Sequence, residues 1–296
     1  MTGRILDQAS RVQTQYASDS GAHFYRIVMG DGGSDIHYGI YKNRATSVKA
    51  ATEAASLRLL EIAEQNFQGE RLREVVDLGS GSGGSARLIA LKRGARVSCV
   101  DLCERLHCEN RRRASECGIA EKIETWDCSY DRLPTEWSGR FDMAWSQDAI
   151  CHAAKKEAVF GEAFRVLREG GVFVFSDVML AEQAPAEEAA AFTGVNAVVQ
   201  LGKQDQYLRN LRDIGFVNVC FEDWTPHLTT NFARMRHQIE LYYVELIEMG
   251  VAPEFVDNFA DALDRRLKWA TGSVMRWGAF VGSKASQAAE NLESGG

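Results

Sequence analysis

Between Val75 and Gly84 the chain reads VVDLGSGSGG, and its glycines satisfy two spacings that serve different chemistry. Gly79, Gly81 and Gly84 spell G-x-G-x-x-G, the turn through which backbone approaches a pyrophosphate at a helix N-terminus in dinucleotide-binding sheets. Asp77, Gly79, Gly81 and Gly83 spell D-x-G-x-G-x-G, in which a carboxylate just ahead of the turn organises an ammonium-bearing ligand, and that suits S-adenosylmethionine. A helix N-terminus favours a carboxylate as readily as a phosphate, so the loop alone chooses neither cofactor.

In an open α/β sheet the ligand lies beyond the carboxyl ends of the strands, so the residues ending each strand-like run can be taken in order. Asp101, followed by Leu102, ends ARVSCVDL, where a carboxylate accepts from two ribose hydroxyls that both cofactors possess. The third run ends WDCSY: Asp127 can take an adenine amine and the N–H of Cys128 a ring nitrogen, with Ser129 beside them. The fourth continues AWSQDAICH and places Gln147, Asp148 and His152 where a methyl group is handed over; His152 could orient or deprotonate the acceptor. A nicotinamide enzyme needs neither feature. The expected cofactor is therefore S-adenosylmethionine, held by Asp77, Gly79, Ser80, Gly81, Asp101, Leu102, Asp127, Cys128, Ser129 and Gln147, and no metal is expected. Plainer readings compete: tight-turn chemistry for the glycines, a helix N-cap at Asp127, and a helix-start histidine at His152.

The elements that must position these residues alternate. TSVKAATEAASLRLLEIAEQ reads as a helix, LREVVDL as a buried strand, and SARLIALKRG as a helix closed by Gly94. Strand ARVSCVDL, helix ERLHCENRRRASECG, strands KIETWD and FDMAWSQD, helix KKEAVFGEAFRVLREGG and strand VFVFSDVM follow. That rhythm predicts a doubly wound, mainly parallel α/β sheet. Beyond Met179 it changes to helical AEEAAAFTGVNAVVQL and DQYLRNLRDIG, strand FVNVCFED, one helical stretch over 231–271, and a seventh strand, VMRWGAFVGS, returning to the sheet. The expected organisation is a helical lid segment over 1–70 and a core over 71–284, with lid insertions at about 181–203 and 228–272 and a disordered tail at 285–296.

The 296 residues are 45% hydrophobic and 25% charged with a net charge of −7, a globular profile with a sizeable core. The acidic balance, with RRR at 111–113 as its one basic run, argues against nucleic acid as a partner. No apolar run is long enough for a membrane span and the N-terminal residues lack a signal-peptide pattern, so a cytoplasmic protein is expected. Seven cysteines without a C-x-x-C pair read as reduced thiols; for Cys99, Cys103 and Cys108, small half-buried residues are favoured over an arsenical-binding trio. The expected partner is a small-molecule methyl acceptor, with homo-oligomerisation left open.

A resemblance covers nearly the whole chain. FYRI, DIHYGIY, VDLGSGSGGSAR, WSQDAICHAAKKEAVFGEAFRVLREGG, FSDVM, WTPHL and the later WGAF resemble the sarcosine/dimethylglycine N-methyltransferases of glycine betaine synthesis, WSQD followed by a histidine being the most specific. It implies a class I, Rossmann-like methyltransferase with a helical lid. Tyr25, His37 and Tyr41 would close over the sulfonium, with Trp145, Met179 and Trp277 as apolar walls and His152, Gln147, Asp148 and Tyr25 as the reacting group's neighbours. The family's R-I-H-L lid stretch is here about GVNAVVQL, without the basic residue that could meet an acceptor carboxylate; Arg26 is a cation that could take its place. Two rivals stand. One is a C-methyltransferase for a natural-product precursor such as a prenyl diphosphate, which needs magnesium or basic residues for the phosphates. The other is an inactive binding module, against which the intact glycines, Asp101 and Asp127 speak.

Overall fold

The computed structural model describes residues 19–30, 36–43, 45–185, 187–188, 200–272 and 274–286. Among the described residues two helices precede the sheet, α1 (Asp19–Val28) and α2 (Val48–Asn66). Ser47 starts α2: from extended backbone its hydroxyl accepts the Ala50 N–H at 3.2 Å, satisfying a donor that the first turn cannot. Then come β1 (Glu74–Leu78), α3 (Gly84–Arg93), β2 (Arg96–Asp101), α4 (Glu104–Glu116), β3 (Ile123–Asp127), β4 (Phe141–Gln147), α5 (Lys156–Val166) and β5 (Leu167–Leu180). The chain continues through α6 (Gln204–Ile214), β6 (Phe216–Asp223), α7 (Leu228–Glu248), α8 (Pro253–Thr271) and β7 (Met275–Lys284).

The sheet has seven strands in the order β3-β2-β1-β4-β5-β7-β6. Strands β1 to β5 pair in parallel, and β7 lies antiparallel between β5 and β6. Strand order reverses between β1 and β4, which opens a crevice at their carboxyl ends. Residue alternation splits the core. Val75, Trp145, Val178 and Trp277 face α2, α7 and α8, whereas Val76, Leu78, Phe175 and Met179 face α5 and α6.

Three expectations change. The helix read through Gly171 stops at Val166, because Leu167 already pairs with Phe141; the register then shifts, so LREGG belongs to β5 and Gly170 turns with φ 72°. The single late helix is two: Gly250 at φ 85° ends one and Pro253 begins the next. Met179 stands on the opposite face of the sheet from Trp277. The segments read as helix over 186–201 and as a tail over 285–296 lie largely outside the described residues. No helix among the described residues is long and apolar enough to cross a membrane.

Candidate active site

The β1–α3 turn is built by glycines with left-handed backbone: Gly79 at φ 79°, Gly81 at φ 53° and Gly83 at φ 74°. A Cβ at Gly79 would stand 2.6 Å from that of Ala149, and one at Gly83 would stand 2.0 Å from the buried Asn110 side chain, while Gly81 has open space. The loop is pinned to β2 by Gly79 and Ser80 N–H groups donating to the Val100 carbonyl at 2.9 and 3.0 Å. Asp101 then receives the Gly81 N–H on Oδ2 at 2.9 Å and the Cys103 N–H on Oδ1 at 3.0 Å. Burial pushes the Asp101 carboxyl up, opposed by these backbone donors.

A cavity opens at the crevice. Asp77, Gly79, Ser80, Gly81, Asp101, Leu102, Cys128 and Ser129 line it from the β1, β2 and β3 ends, and Gln147, Asp148, His152 and His37 from the β4 end and the lid. A glycine cradle that Cβ atoms would fill, a strand-end carboxylate with acceptor capacity left, and a carboxylate at Asp77 fit S-adenosylmethionine. Asp127 is exposed and does not line the cavity, and the Cys128 N–H turns back onto the Trp126 carbonyl at 3.1 Å, so the adenine contact expected from it is already occupied within the chain. Tyr25, Tyr41, Trp145, Met179 and Trp277 are buried without lining the cavity.

Gln147 is a hub. Its Oε1 lies 3.0 Å from Ser56 Oγ and 2.7 Å from Ser85 Oγ, and its Nε2 lies 3.1 Å from His37 Nδ1. Tyr38 O is 2.9 Å from that same Nδ1, and Ser56 Oγ is 3.2 Å from Nε2. One ring nitrogen cannot accept from the amide and donate to the carbonyl. Turning the amide over removes the conflict: His37 Nδ1–H is shared between Tyr38 O and the Gln147 oxygen, Ser56 donates to Nε2, and the Gln147 amino group donates to both serines. Ser56 and Ser85 were invisible in the sequence, because a serine inside a helix gives no periodic or motif signal.

Asp148 follows with φ 52°, a strained position for a residue with a Cβ. Its Oδ1 accepts Ser176 Oγ–H at 2.7 Å and Trp277 Nε1–H at 2.9 Å, and its Oδ2 accepts the Tyr38 N–H at 3.0 Å. One carboxylate thereby joins β5, β7 and the lid segment. Tyr38 packs edge-on against Trp277 and Phe232, with ring centres 5.8 and 5.5 Å away. Asn231 of α7 clamps the same segment, accepting from Gly39 N–H at 2.8 Å and donating to Gly39 O at 2.9 Å.

His152 ends a short 3₁₀ turn, Ile150–His152, held from below by Asp177. Asp177 Oδ1 accepts the Cys151 N–H at 3.1 Å and Oδ2 accepts the Tyr207 hydroxyl at 2.7 Å. Full burial pushes the Asp177 carboxyl up to about 7, against the Tyr207 hydrogen bond and the Lys156 charge. Lys156 donates to the Ala153 and Gln200 carbonyls at 3.1 and 2.8 Å. Arg26, the cation considered for an acceptor carboxylate, is half-buried near the end of α1, its Nη2 lying 3.4 Å from His23 Nδ1.

Comparison with known proteins adds to this geometry. Residues 76–175 match the methyltransferase domain family. The chain is 32% identical over 281 residues to the sarcosine/dimethylglycine N-methyltransferase of Halorhodospira halochloris, covering 95% of this chain and 98% of that protein. Among solved structures, a Galdieria sulphuraria protein described as a sarcosine dimethylglycine methyltransferase superposes with a TM-score of 0.82 at 24% identity, over 91% of this chain and 98% of that one. Phosphoethanolamine N-methyltransferase 2 of Haemonchus contortus, bound to phosphomonomethylethanolamine and S-adenosylhomocysteine, superposes with a TM-score of 0.79 at 18% identity, over 96% of this chain and 62% of that one.

Proposed function

Because this chain belongs to the sarcosine/dimethylglycine N-methyltransferase family and is an S-adenosylmethionine-dependent small-molecule methyltransferase, we propose that its acceptor is a compact secondary or tertiary amine of the sarcosine and dimethylglycine type. The observation that carries this reading is the Asp148 carboxylate, which lines the lid side of the cavity and is fixed there by the Ser176 hydroxyl, the Trp277 indole N–H and the Tyr38 backbone N–H. Methylating an amine moves positive charge onto nitrogen. A fixed carboxylate favours that charge where it develops.

S-adenosylmethionine supplies the activated methyl. The chain has to hold the acceptor in line and exclude water, and positioning of this kind can contribute roughly 7 to 11 kcal/mol. In this reading Asp77, Gly79, Ser80, Gly81, Asp101 and Leu102 hold the cofactor. Gln147, fixed by Ser56, Ser85 and His37, ties the cofactor loop to the lid, and His152 orients the acceptor or takes the proton that a secondary amine gives up on methylation. The described residues between 19 and 70 and the later helices act as the lid of a cytoplasmic enzyme.

The rival acceptor, a prenyl diphosphate, brings several negative charges. The carboxylates facing the cavity, Asp77, Asp101, Asp131 and Asp148, oppose them. The test is S-adenosylhomocysteine release across methylated amines, amino acids and prenyl diphosphates, with and without magnesium. Turnover of sarcosine or dimethylglycine without added magnesium is expected. Turnover confined to a diphosphate with magnesium would reject the reading. His152→Gln sharpens it: a tertiary amine should lose less than about tenfold in kcat, whereas a carbon acceptor relying on His152 as base should lose about a hundredfold or more.

A further inference from the structure

The turn that carries His152 is held by a second buried charge, one that neither the motifs nor the resemblance singled out. Lys156 is 7% exposed, although lysine seldom goes inside and its neighbour Lys155 is exposed. It is also the first residue of α5, where a cation opposes the helix dipole. Burial and dipole both disfavour an ammonium here, and a methionine of similar shape would fill the same space, so packing alone does not account for the charge.

Its contacts do. Lys156 Nζ donates to the Ala153 carbonyl at 3.1 Å and to the Gln200 carbonyl at 2.8 Å. Ala153 directly follows His152, and both line the cavity. Gln200 belongs to the segment that returns to the sheet from the β5 connection: Leu180 N–H donates to the Gly202 carbonyl at 2.9 Å, and a Cβ at Gly202 would stand 2.0 Å from the Tyr207 ring. Tyr207 in turn donates to Asp177, which accepts the Cys151 N–H. Two routes therefore join residues 200–202 to the turn on either side of His152, one ending on the carbonyl of the residue after it and one on the N–H of the residue before it.

Resting on the reading of His152 as the group that orients the acceptor or takes its proton, we propose that Lys156 is a positioning residue for methyl transfer: by fixing the Ala153 carbonyl it sets His152, and it yokes that setting to the seating of residues 200–202. Groups of opposite charge then hold the two ends of the turn, Asp177 taking an N–H and Lys156 giving to a carbonyl. Without Lys156 the carbonyl end loses that tie, and a reacting group misplaced by about 1 Å can cost on the order of a hundredfold in rate.

The experiment measures steady-state turnover of sarcosine and dimethylglycine by the full chain, with calorimetric titration of S-adenosylhomocysteine and a denaturation midpoint for each variant. Lys156→Met should lower kcat for sarcosine by about tenfold or more while changing KM by less than about threefold, and S-adenosylhomocysteine affinity should stay unchanged. A cycle with His152→Gln separates positioning from plain stability: with His152 gone, Lys156→Met should cost less than about threefold further. Lys156→Gln, which keeps one donor group, should fall between, and if the methionine variant fails to fold, the same cycle run with Lys156→Gln is the deciding readout. Unchanged kcat, or a raised KM in place of a lowered kcat, would overturn the proposal. Losses that simply multiply, with sarcosine still methylated, would overturn it and leave amine methylation standing. Coupled losses measured on a prenyl diphosphate, with no amine turned over, would do the reverse.

Discussion

Asp101 already accepts the backbone N–H groups of Gly81 and Cys103, with Leu102 N–H also favouring its charged form, and its oxygens keep acceptor capacity for a diol. Asp101→Ala should therefore weaken S-adenosylhomocysteine binding by about 1.5 to 3 kcal/mol, roughly ten- to a hundredfold, as read by calorimetry. Unchanged affinity would remove Asp101 from the cofactor site. Residues of this kind were legible in the sequence because type and position coincide, a carboxylate at a strand's end and glycines at a strand-to-helix turn. The Cys128 N–H misled because whether a backbone donor faces a ligand depends on the turn after the strand, which side-chain types do not specify.

Among the elements, the turn carrying His152 depends on a carboxyl that titrates. Burial pushes Asp177 up to about 7, so between roughly pH 4 and 7 the folded chain keeps a proton that the unfolded chain has released. Stability contributed by this group is full below that window and falls as pH rises through it. Asp177→Asn keeps an acceptor for the Cys151 N–H and removes the titration, so its denaturation midpoint should change less between pH 5 and 8 than that of the wild type. A slope identical to the wild type's would assign the proton elsewhere. Element type was readable from periodicity almost throughout, and boundaries were not. LREGG continues the helical pattern of α5, yet pairing with β4 takes Leu167 into the sheet, and long-range pairing of that kind leaves no local mark. Met179 shows the related error of ignoring strand parity: in β5 it is Val178, not Met179, that pairs with Trp277, so Met179 could not share a wall with Trp145 and Trp277.

Across the whole molecule, β7 is the seam. It pairs with both β5 and β6, places Trp277 on Asp148, and packs beneath the rings of Tyr38 and Trp224. β6 has no other neighbour in the sheet. A chain ending at residue 273 should expose two unpaired strand edges and release the lid. It is expected to aggregate, and any soluble fraction should lose acceptor binding before cofactor binding; retention of both activities would show the seam to be dispensable. The same placement matters while the protein is being made. On a ribosome the glycine loop and its strands emerge early and can begin to form, but the strand that fixes Asp148 is synthesised after every other strand described. A nascent chain stalled before Met275 is therefore a recognisable unfinished object with sticky open edges, open to chaperones and proteases, and methylation begins only once translation has passed that point.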